Sequence, residues 1–557
     1  MSTKDIEKLK SEVRRLKTEL KKKKKYGLVW DSEREPEEVV EMCKEKLPVL
    51  KEVKNKEVIM DKNKPINLLI EGDNYHALSV LNYTHKGKID VIYIDPPYNT
   101  GAKNWKYNNH YVEKEDAFRH SKWLNMMEKR LSLAKNVLKR DGCLICAIDE
   151  NEHANLSLLL KQIFPNHNVD SITIVHNPRG VQGKNFSYNH EYAVFVYPDL
   201  KEKYINNAQR NEALVRNFRV DGSNSPRSTA KTCFYPFIIK GEKIIGIGEV
   251  VPKDFHPKKQ TVEIKKNVFQ VWPIDIRGIE RKWPFSRNTV EEILDQLTVR
   301  KTQRGFEIYR SKIEAPYRTV WVDPKYDANE YGSKLVNSII GVQFPFPKSL
   351  YTVKECLEAV IKYKKNAIVL DFFSGSGTTG HATLTMNQED NGSRQSILCT
   401  NNEGNICTEI CYPRMRNVIK GYKKYGNGQN VLGLGGNLKY FKTDFVGYKE
   451  SNDKNKIRMT EEAIEMLCVK EGTFEEIENR VGFKIFKNHD HHTGIIFDQL
   501  AIKEFKKAIS NIKGKFSVYV FSLGDDTFDE EFEDIKQKVK LSPIPEAILK
   551  VYRRIFK

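Results

Sequence analysis

Four consecutive residues, Asp95-Pro96-Pro97-Tyr98, have the types and the order needed to bind a planar amine. They follow the apolar run Ile89 to Ile94, which predicts a buried β-strand. A carboxylate and a proline carbonyl at the end of a strand can both accept hydrogen bonds from one NH2 group, and the proline rings stiffen the backbone. The ring of Tyr98 offers a flat face for an extruded base. The segment therefore predicts a site for the exocyclic amine of a nucleobase; the alternative is an ordinary turn after a strand.

A second candidate site lies far downstream, where Asp371 begins the segment DFFSGSGTT. Residues 367–370 before it predict another short buried strand. A strand that leads into a glycine-rich turn and then into a helix brings backbone amides close to a bound cofactor. The glycine spacing matches neither a Walker A loop nor G-x-G-x-x-G, and no lysine follows the second glycine. A phosphate-binding loop is therefore the weaker alternative.

With these two motifs, the chain resembles the β group of DNA amino-methyltransferases, in which the catalytic motif precedes the cofactor motif. Shorter segments resemble the modification (Mod) subunit of type III restriction-modification systems. These segments are YGLVW at 26–30, LIEGDNY at 69–75, YIDPPYNTG at 93–101, NPRG at 177–180, HEY at 190–192, FPKSL at 346–350 and GNLKYFKTDF at 436–445. The resemblance implies methylation of adenine N6 in double-stranded DNA, with S-adenosyl-L-methionine as the cofactor.

The resemblance also implies roles for individual residues. It assigns methyl transfer to Asp95, Pro96, Pro97 and Tyr98. The residues that it assigns to cofactor binding are Asp371, Phe373, Gly375, Gly377, Thr378, Thr379, Lys348, Ser349, Asp73 and Glu403. Among these, Glu403 is the acidic residue after the next predicted strand, 397–400, and is expected at the ribose hydroxyls. Asp73 is expected near the adenine end of the cofactor.

Two other functions remain open at this point. The first is methylation of cytosine N4 or of an RNA base, although Asp rather than Ser before the two prolines favours adenine in the family. The second is a DNA-binding subunit that has lost its chemistry. In the favoured reaction, positioning and electrostatics supply most of the rate, and no covalent enzyme intermediate or catalytic cysteine is required.

The elements that must position both sites follow an α/β pattern. Short apolar runs at 66–70, 91–94 and 144–148 predict buried strands, and an apolar face from Trp123 to Leu138 predicts a helix between the last two. Helices between short buried strands imply a largely parallel sheet whose sites lie at the carboxyl ends of the strands. This rule places Asp73, Asp95 and Asp371 along one rim.

The predicted fold is a Rossmann-like, mostly parallel, seven-stranded methyltransferase sheet of circularly permuted order. An inserted target-recognition domain and an α+β C-terminal module complete it. The predicted domains are an N-terminal helix or coiled coil at 1–25, the catalytic half at 26–197, the insertion at 198–337, the cofactor half at 338–445 and a C-terminal interaction or dimerisation module at 446–557.

The insertion departs from the strand and helix rhythm. It is rich in basic and aromatic residues, among them Arg277, Arg281, Lys282, Trp283, Arg287, Arg300, Lys301 and Arg304. Basic residues interleaved with aromatic rings suit phosphate contacts and base stacking. In the family this region recognises the target sequence, and the alternative is a solvent-facing insertion. A nearer aromatic group, Trp105, Tyr107 and Tyr111, predicts either a mobile loop over DNA or core packing.

An apolar seam near the N-terminus concerns assembly. Its residues are Ile6, Leu9, Val13, Leu16 and Leu20, spaced alternately by three and four. This spacing is typical of a coiled coil, although a seam this short also suits a helix packed on its own domain. Together with the family resemblance it predicts a homodimer. The resemblance further implies a separate restriction (Res) helicase-nuclease subunit as a possible partner.

Composition is consistent with an enzyme that acts on nucleic acid. The chain has 557 residues, a formal net charge of +19 and nine cysteines. The length predicts several domains, the charge favours a polyanionic partner, and the cysteines suit a reducing, cytoplasmic compartment. We expect no secretory signal and no membrane span. Cys143 and Cys146 lie in an apolar run that predicts a core strand, so no structural metal is expected.

Overall fold

The computed structural model describes residues 28–31, 35–447, 453–488, 491–524, 526 and 528–556. The seam predicted to form a coiled coil, Ile6 to Leu20, lies outside these residues. The described chain forms two compact units. The first contains the residues up to Tyr204 and those from Arg318 onward, and the second is Ile205–Tyr317. The second unit lies inside the range 198–337 that the sequence predicts for the insertion.

A large mixed sheet forms the centre of the first unit, with eleven strands among the described residues. Across the sheet, ten of the strands follow the order Lys46–Glu52, Asn437–Gly447, Ile66–Glu71, Gln395–Thr400, Ile368–Asp371, Ile89–Ile94, Leu138–Ile148, Glu191–Pro198, His167–Ile174 and Val320–Trp321. The eleventh, Val58–Ile59, pairs with Asn437–Gly447. The strand Ile89–Ile94, which precedes Asp95, and the strand Ile368–Asp371 are direct, parallel neighbours although the motifs are far apart in sequence.

The predicted Rossmann-like α/β fold is confirmed. The seven predicted strands correspond to the central part of this sheet, from Ile66–Glu71 to His167–Ile174. Six of them run in one direction, and Glu191–Pro198 runs antiparallel to both of its neighbours. The remaining strands extend the sheet at its two edges. Because the parallel strands end at the same edge, the residues that follow them are brought together there.

Helices cover the sheet. In the first unit the described α-helices are Glu38–Glu41, Asn74–Thr84, Arg119–Val137, His153–Ile163, Lys334–Ile340, Leu350–Ile361, Thr378–Asp390, Tyr412–Lys420, Asp453–Glu462, Ile464–Glu471, Ile502–Ile509 and Glu546–Ile555. The helix predicted from the apolar face that begins at Trp123 is Arg119–Val137, and Trp123, Met127 and Leu131 are buried along it. They join the core cluster that contains Ile92 and Leu144.

The C-terminal part of the chain adds a second sheet to the first unit. Its strands, in order, are Glu475–Asn479, Phe483–Asn488, His491–Ile496, Lys515–Phe521 and Val539–Ile544. Ile495, Tyr519 and Ile548 belong to the same hydrophobic cluster as the main sheet. In addition, the Tyr552 hydroxyl donates a hydrogen bond to the Pro48 carbonyl at 2.5 Å. The C-terminal part and the edge of the main sheet therefore share one core.

The second unit is built from antiparallel strands. A three-stranded sheet and a four-stranded sheet contain Asn207–Asn217, Gly305–Pro316, Leu297–Thr302, Lys243–Ile247, Phe237–Lys240, Val268–Val271 and Thr261–Lys265. Trp283 is buried in this unit's core and stacks on Phe218. The suggestion that Trp283 is available for base stacking is therefore wrong, because its ring is already packed between core side chains.

The described cysteines, nine in number, are all buried and free. Cys143 and Cys146 lie in the strand Leu138–Ile148, as the sequence predicts. Among the described residues, no group of three or more His, Cys, Asp or Glu side chains is arranged to hold a metal ion. Over the same residues, no helix combines the length and the apolar character that crossing a bilayer requires.

Candidate active site

A cavity of about 1020 Å³ opens at the carboxyl ends of the parallel strands. Its lining residues are Glu37, Glu38, Val39, Asp73, Asn74, Asp95, Pro97, Trp105, Lys106, Asn108, Asn109, Tyr111, Met126, Arg130, Phe372, Phe373, Gly375, Thr400, Asn401, Glu403, Gly404 and Ile406. The cavity thus brings residues of both sequence motifs onto one surface. It also includes the two acidic residues, Asp73 and Glu403, that the resemblance connected with the cofactor.

The first motif forms a fixed turn at the end of Ile89–Ile94. The indole Nε1 of Trp123 donates a hydrogen bond to the Pro97 carbonyl at 2.7 Å. Asn99 ends the turn with a φ of 57°, in the left-handed region that asparagine tolerates. Its buried amide donates to Glu152 at 2.5 Å. The bond from Trp123 is made to Pro97 and not to Pro96, and of the two prolines only Pro97 is among the residues that line the cavity.

A buried lysine lies beside Asp95. Lys348 Nζ is 3.2 Å from Asp95 Oδ1 and 2.7 Å from Glu191 Oε2, and it also contacts the Tyr98 hydroxyl. Burial raises the pKa of Asp95 above its ordinary value, Lys348 acts against this rise, and Glu191 adds to it. Burial lowers the pKa of Lys348, but the two carboxylates outweigh burial and leave that pKa raised. Lys348 therefore carries its charge next to Asp95.

The second motif forms a loop that Asp371 holds together. Asp371 accepts hydrogen bonds from the Thr379 hydroxyl at 2.5 Å and from the Phe373 amide at 3.0 Å. Burial raises the pKa of Asp371 to about 7, although both hydrogen bonds lower it. Asp371 and Thr379 are buried beneath the loop and do not line the cavity. They fix the loop, whereas Phe373 and Gly375 form its exposed surface toward the cavity.

The two glycines of this loop adopt a backbone conformation that other residues rarely use. Gly375 has a φ of 46° and Gly377 a φ of 81°. A Cβ atom at Gly377 would also lie only 3.0 Å from the Cys411 sulfur. Gly377 directly precedes the helix Thr378–Asp390, and of the two glycines only Gly375 lines the cavity. The Thr378 hydroxyl accepts a hydrogen bond from the buried Arg414 at 2.8 Å.

Lys348 and Ser349 lie outside the lining of the cavity, but Lys348 contacts the lining residue Asp95 from behind it. Ser349 is buried at the start of the helix Leu350–Ile361, and its hydroxyl donates to the Lys325 carbonyl at 2.7 Å. Ser349 is thus engaged in packing this helix start.

Asp73 takes part in a charged group that sequence reasoning missed. It accepts a hydrogen bond from the Tyr75 amide at 2.7 Å at the start of the helix Asn74–Thr84. Arg130 lies 3.4 Å from Asp73 and forms two hydrogen bonds to Glu37, at 2.6 and 2.9 Å. Arg130 lies on the helix Arg119–Val137, which contains both apolar and charged residues. Nothing in the sequence around Arg130 indicates a buried ion pair. Only the fold brings these charges together at the cavity wall.

A hairpin closes one side of the cavity. Its strands are Ala102–Tyr107 and His110–Glu113. Lys106 on the hairpin pairs with Glu403 at 2.5 Å, and both side chains line the cavity. Trp105 and Tyr107 are buried in the main core, and the Tyr107 hydroxyl accepts a hydrogen bond from Asn125 at 2.6 Å. In this structure both rings are packed in the core, as the core-packing alternative predicts, and Trp105 also lines the cavity.

Comparison with known proteins adds a family and relatives. The profile of a DNA methylase family matches residues 89–411. The chain is 32% identical over 370 residues to the type II methyltransferase M.KpnI of Klebsiella pneumoniae, and the match covers 61% of this chain and 82% of M.KpnI. It is 27% identical over 385 residues to the type III EcoPI Mod subunit of Escherichia phage P1, covering 60% of this chain.

The matches to Mod subunits are partial. The chain spans 58% of the EcoPI Mod subunit and 52% of the StyLTI Mod subunit of Salmonella typhimurium, to which it is 28% identical over 366 residues. Among solved structures, the M1.HpyAVI–SAM complex is similar at a TM-score of 0.29 and 13% identity, with 63% of this chain and 97% of that chain covered. The cytosine-N4-specific PvuII DNA methyltransferase gives a TM-score of 0.30 and 10% identity, covering 63% and 87%.

Proposed function

This chain belongs to the DNA methylase family, and from that premise we propose that it methylates adenine N6 in double-stranded DNA with S-adenosyl-L-methionine as the methyl donor. The observation that carries the proposal is the shared cavity. It places Asp95 and Pro97 of the first motif on the same surface as Phe373 and Gly375 of the second. Methyl transfer needs an acceptor amine and a donor side by side, and this arrangement supplies both positions.

Asp95 and Pro96 hold the acceptor. The lone pair of the exocyclic amine is delocalised into the base, which makes the nitrogen a weak nucleophile. The Asp95 carboxylate and the Pro96 carbonyl accept the two amine hydrogens and favour a more pyramidal nitrogen. As the new N–C bond forms, positive charge develops on that nitrogen, and the carboxylate stabilises it. The proton that the amine loses passes to an Asp95 oxygen.

Tyr98 supplies the stacking surface for a flipped base. Lys348 lies 4.6 Å from the centroid of the Tyr98 ring and covers one of its faces. The ring is partly buried against the main core and is not among the residues that line the cavity. We propose that a flipped base stacks on the part of the ring that neither the core nor Lys348 covers. Glu191 accepts a hydrogen bond from the Tyr98 hydroxyl at 3.2 Å, which fixes the tilt of the ring. An oriented ring lowers the entropy that is lost when the base is bound.

The glycine-rich loop suits the cofactor, which supplies an electrophilic methyl group when it is bound. Phe373 and Gly375 offer a ring and an accessible backbone, and Asp371, Gly377, Thr378 and Thr379 hold the loop in shape. Asp73 and Glu403 provide carboxylates at the same cavity. Carboxylates fit a donor that carries hydroxyl and amino groups and a positive charge. Glu403 becomes available for ribose hydroxyls once it exchanges its contact with Lys106.

The base that is methylated can be identified directly. Unmethylated phage DNA is incubated with the protein and a deuterated methyl donor, digested to nucleosides and analysed by mass spectrometry. We expect label in N6-methyldeoxyadenosine. Label in N4-methyldeoxycytidine would replace adenine by cytosine. In a parallel reaction that contains RNA instead of DNA, label in RNA together with none in DNA would make RNA the substrate. A protein that binds the donor and DNA without transferring label would be a DNA-binding subunit.

We assign sequence recognition to the second unit and assembly to other parts of the chain. Exposed basic residues of Ile205–Tyr317 contact DNA phosphates in this proposal, within a cytoplasmic protein. Because two relatives are Mod subunits of type III restriction-modification enzymes, we propose that this chain is also a Mod subunit or a solitary relative of one. We further propose that it forms a homodimer and that it can bind a Res helicase-nuclease. Light scattering at micromolar concentration tests the dimer. Capture of a helicase-nuclease by the tagged protein from its own cells tests the partner, and its absence favours the solitary form.

A further inference from the structure

Three charged groups that come from separate parts of the chain meet at the acceptor site. Asp95 follows the strand Ile89–Ile94, Glu191 begins the strand Glu191–Pro198, and Lys348 directly precedes Ser349 at the start of a helix. The side chains of Lys348 and Glu191 are 10% and 4% exposed. Burying three charges is costly unless they compensate one another. Their close contact therefore needs an explanation beyond the general packing of the sheet.

We propose that Lys348 and Glu191 are positioning residues for Asp95, which together aim its carboxylate at the acceptor amine and set the charge of the site. This inference rests on the proposed methylation of an exocyclic amine. It assigns Lys348 to the acceptor side of the reaction rather than to cofactor binding, the role that the family resemblance gave it.

The geometry explains how a lysine can assist a hydrogen-bond acceptor without blocking it. Lys348 Nζ contacts Asp95 through Oδ1, and Asp95 also forms a hydrogen bond with the Tyr98 hydroxyl. In the proposal the carboxylate, which lines the cavity, keeps a lone pair for the amine. Glu191 lies closer to Lys348 than Asp95 does, at 2.7 Å against 3.2 Å. Glu191 is therefore the stronger ion-pair partner of Lys348, and the Asp95 carboxylate remains a good hydrogen-bond acceptor for the amine. The Tyr98 hydroxyl forms hydrogen bonds with both Glu191 and Lys348. These bonds connect the charged group to the ring on which the base is proposed to stack.

The charges of the group also match the reaction. With Asp95 and Glu191 ionised and Lys348 protonated, the group has a net charge of one negative unit. During transfer, the N–C bond forms as the S–C bond breaks, and a positive charge moves from sulfur to the amine nitrogen. That nitrogen then loses a proton: its N–H bond breaks, and an O–H bond forms on Asp95. A fixed negative unit stabilises the cationic nitrogen before the proton leaves.

Several other titratable groups face the three charges. Tyr93 and Tyr98 flank Asp95 on its own strand and turn. Asp371 and Cys146 lie on the two strands that flank Ile89–Ile94 on either side. His176 faces both Glu191 and Lys348. Asp149 interacts with Lys348. These groups are the same in all variants below, so differences between variants report on Lys348 and Glu191.

The proposal predicts opposite changes in two variants. Lys348 opposes the rise of the Asp95 pKa, whereas Glu191 contributes to that rise. The acid limb is the part of the pH profile in which the methyl-transfer rate falls as Asp95 becomes protonated. Lys348→Met should therefore shift the acid limb to higher pH, and Glu191→Gln should shift it to lower pH, each by about one pH unit. Lys348→Arg keeps the positive charge and should leave the acid limb near its wild-type position.

Single-turnover methyl transfer to unmethylated phage DNA, at saturating donor between pH 5 and pH 9, measures these limbs. Affinity for S-adenosylhomocysteine, measured by calorimetry, should stay within about twofold of wild type in Lys348→Met. Lys439→Met is the matched control. Lys439 is also buried, pairs with Glu52 and Glu57, and lies 5.4 Å from the centroid of the Phe474 ring. The acid limb of the Lys439→Met variant should lie at the same pH as that of wild type.

The outcomes separate the possibilities. Opposite shifts in Lys348→Met and Glu191→Gln support the proposal. Shifts in the same direction, unchanged limbs, or a loss of S-adenosylhomocysteine affinity without a limb shift overturn it, and the last result would make Lys348 a cofactor residue. If Lys348→Met does not fold, Lys348→Arg takes its place in the test. The proposal is then overturned if the acid limb of Lys348→Arg moves in the same direction as that of Glu191→Gln and by the same amount. A wild-type protein that transfers no methyl group would refute the proposed function instead.

Discussion

The indole Nε1 of Trp123 lies 2.7 Å from the carbonyl oxygen of Pro97. Trp123 is fully buried on the helix Arg119–Val137, and this hydrogen bond connects the helix to the turn that follows Asp95. The bond engages one of the two proline carbonyls of the turn. In the proposed reaction the other carbonyl, that of Pro96, accepts a hydrogen bond from the amine, while the bond from Trp123 keeps the Pro97 carbonyl engaged.

Replacement of Trp123 by Phe should slow methyl transfer without abolishing it. The ring still fills the core, but the Pro97 carbonyl loses its donor and the turn is less fixed. Because one hydrogen bond contributes about 0.5–1.5 kcal/mol, we expect a decrease in the single-turnover rate of up to about tenfold. Trp321→Phe is the control, since its indole also donates to a carbonyl, that of Arg318 at 2.8 Å. Equal rates in wild type and Trp123→Phe would contradict the account.

The Tyr98 ring and the Tyr98 hydroxyl should make separate contributions to the rate of methyl transfer. Tyr98→Phe keeps a stacking surface and loses the contacts to Glu191 and Lys348, so its rate should fall modestly. Tyr98→Ala loses the ring as well and should cost a further 1–3 kcal/mol or so of base stacking. Rates of methyl transfer for the two variants, measured on the same DNA, test this. If Ala and Phe are equally active, a base does not stack on Tyr98.

Asp371 should make the stability of the cofactor-free protein depend on pH. Its folded pKa is about 7 against an ordinary value of 3.8. Between these pH values the folded protein holds a proton that the unfolded chain releases, so stability falls as pH rises through this window. Asp371→Asn cannot ionise. Its stability relative to wild type, measured by urea unfolding, should therefore be greater at pH 8 than at pH 5, by roughly 2–3 kcal/mol. If the difference in unfolding free energy between Asp371→Asn and wild type is equal at both pH values, the folded pKa of Asp371 is not raised.

The second unit should control DNA affinity and sequence choice. Arg300, Lys301 and Arg304 are exposed, whereas Arg281 and Arg287 pair with carboxylates of their own unit. Replacing the three exposed residues by Ala should lower the slope of log affinity against log salt by about 0.9 for each lost phosphate contact. Lys354→Ala removes a basic residue of the first unit that pairs with Glu358 and Glu389, and it should leave the slope unchanged. An unchanged slope in the triple variant would move the phosphate contacts elsewhere.

Much of the site could be predicted from the sequence because its chemistry is local. Asp95 to Tyr98 and Asp371 to Gly377 each follow a short apolar run, and a parallel sheet brings the ends of such runs to one edge. The α/β fold follows from the same pattern. The extra strands at the sheet edges, such as Lys46–Glu52, could not be predicted as partners, because their pairing depends on residues almost 400 positions away.

The charged partners of the site show where sequence reasoning ends. Lys348 is 157 residues from Glu191 and 250 from Tyr98, and no local pattern relates them. The segment HEY at 190–192 is a signal for Glu191, but its partner is visible only in the fold. Composition was misleading for Trp283, because an aromatic residue among basic ones suits a core position as well as a nucleic-acid surface.

Substitution of Asp95 by Ala tests the central claim most directly. The Asp95 carboxylate is proposed to contact the acceptor amine, which is absent when only the cofactor is bound. Transfer of tritiated methyl groups to DNA and calorimetric binding of S-adenosylhomocysteine are measured on the same preparation. We predict that Asp95→Ala transfers no methyl group above background and binds S-adenosylhomocysteine within about tenfold of wild type, a difference of about 1.4 kcal/mol or less. Methyl transfer at the wild-type rate would contradict the account and remove Asp95 from the reaction.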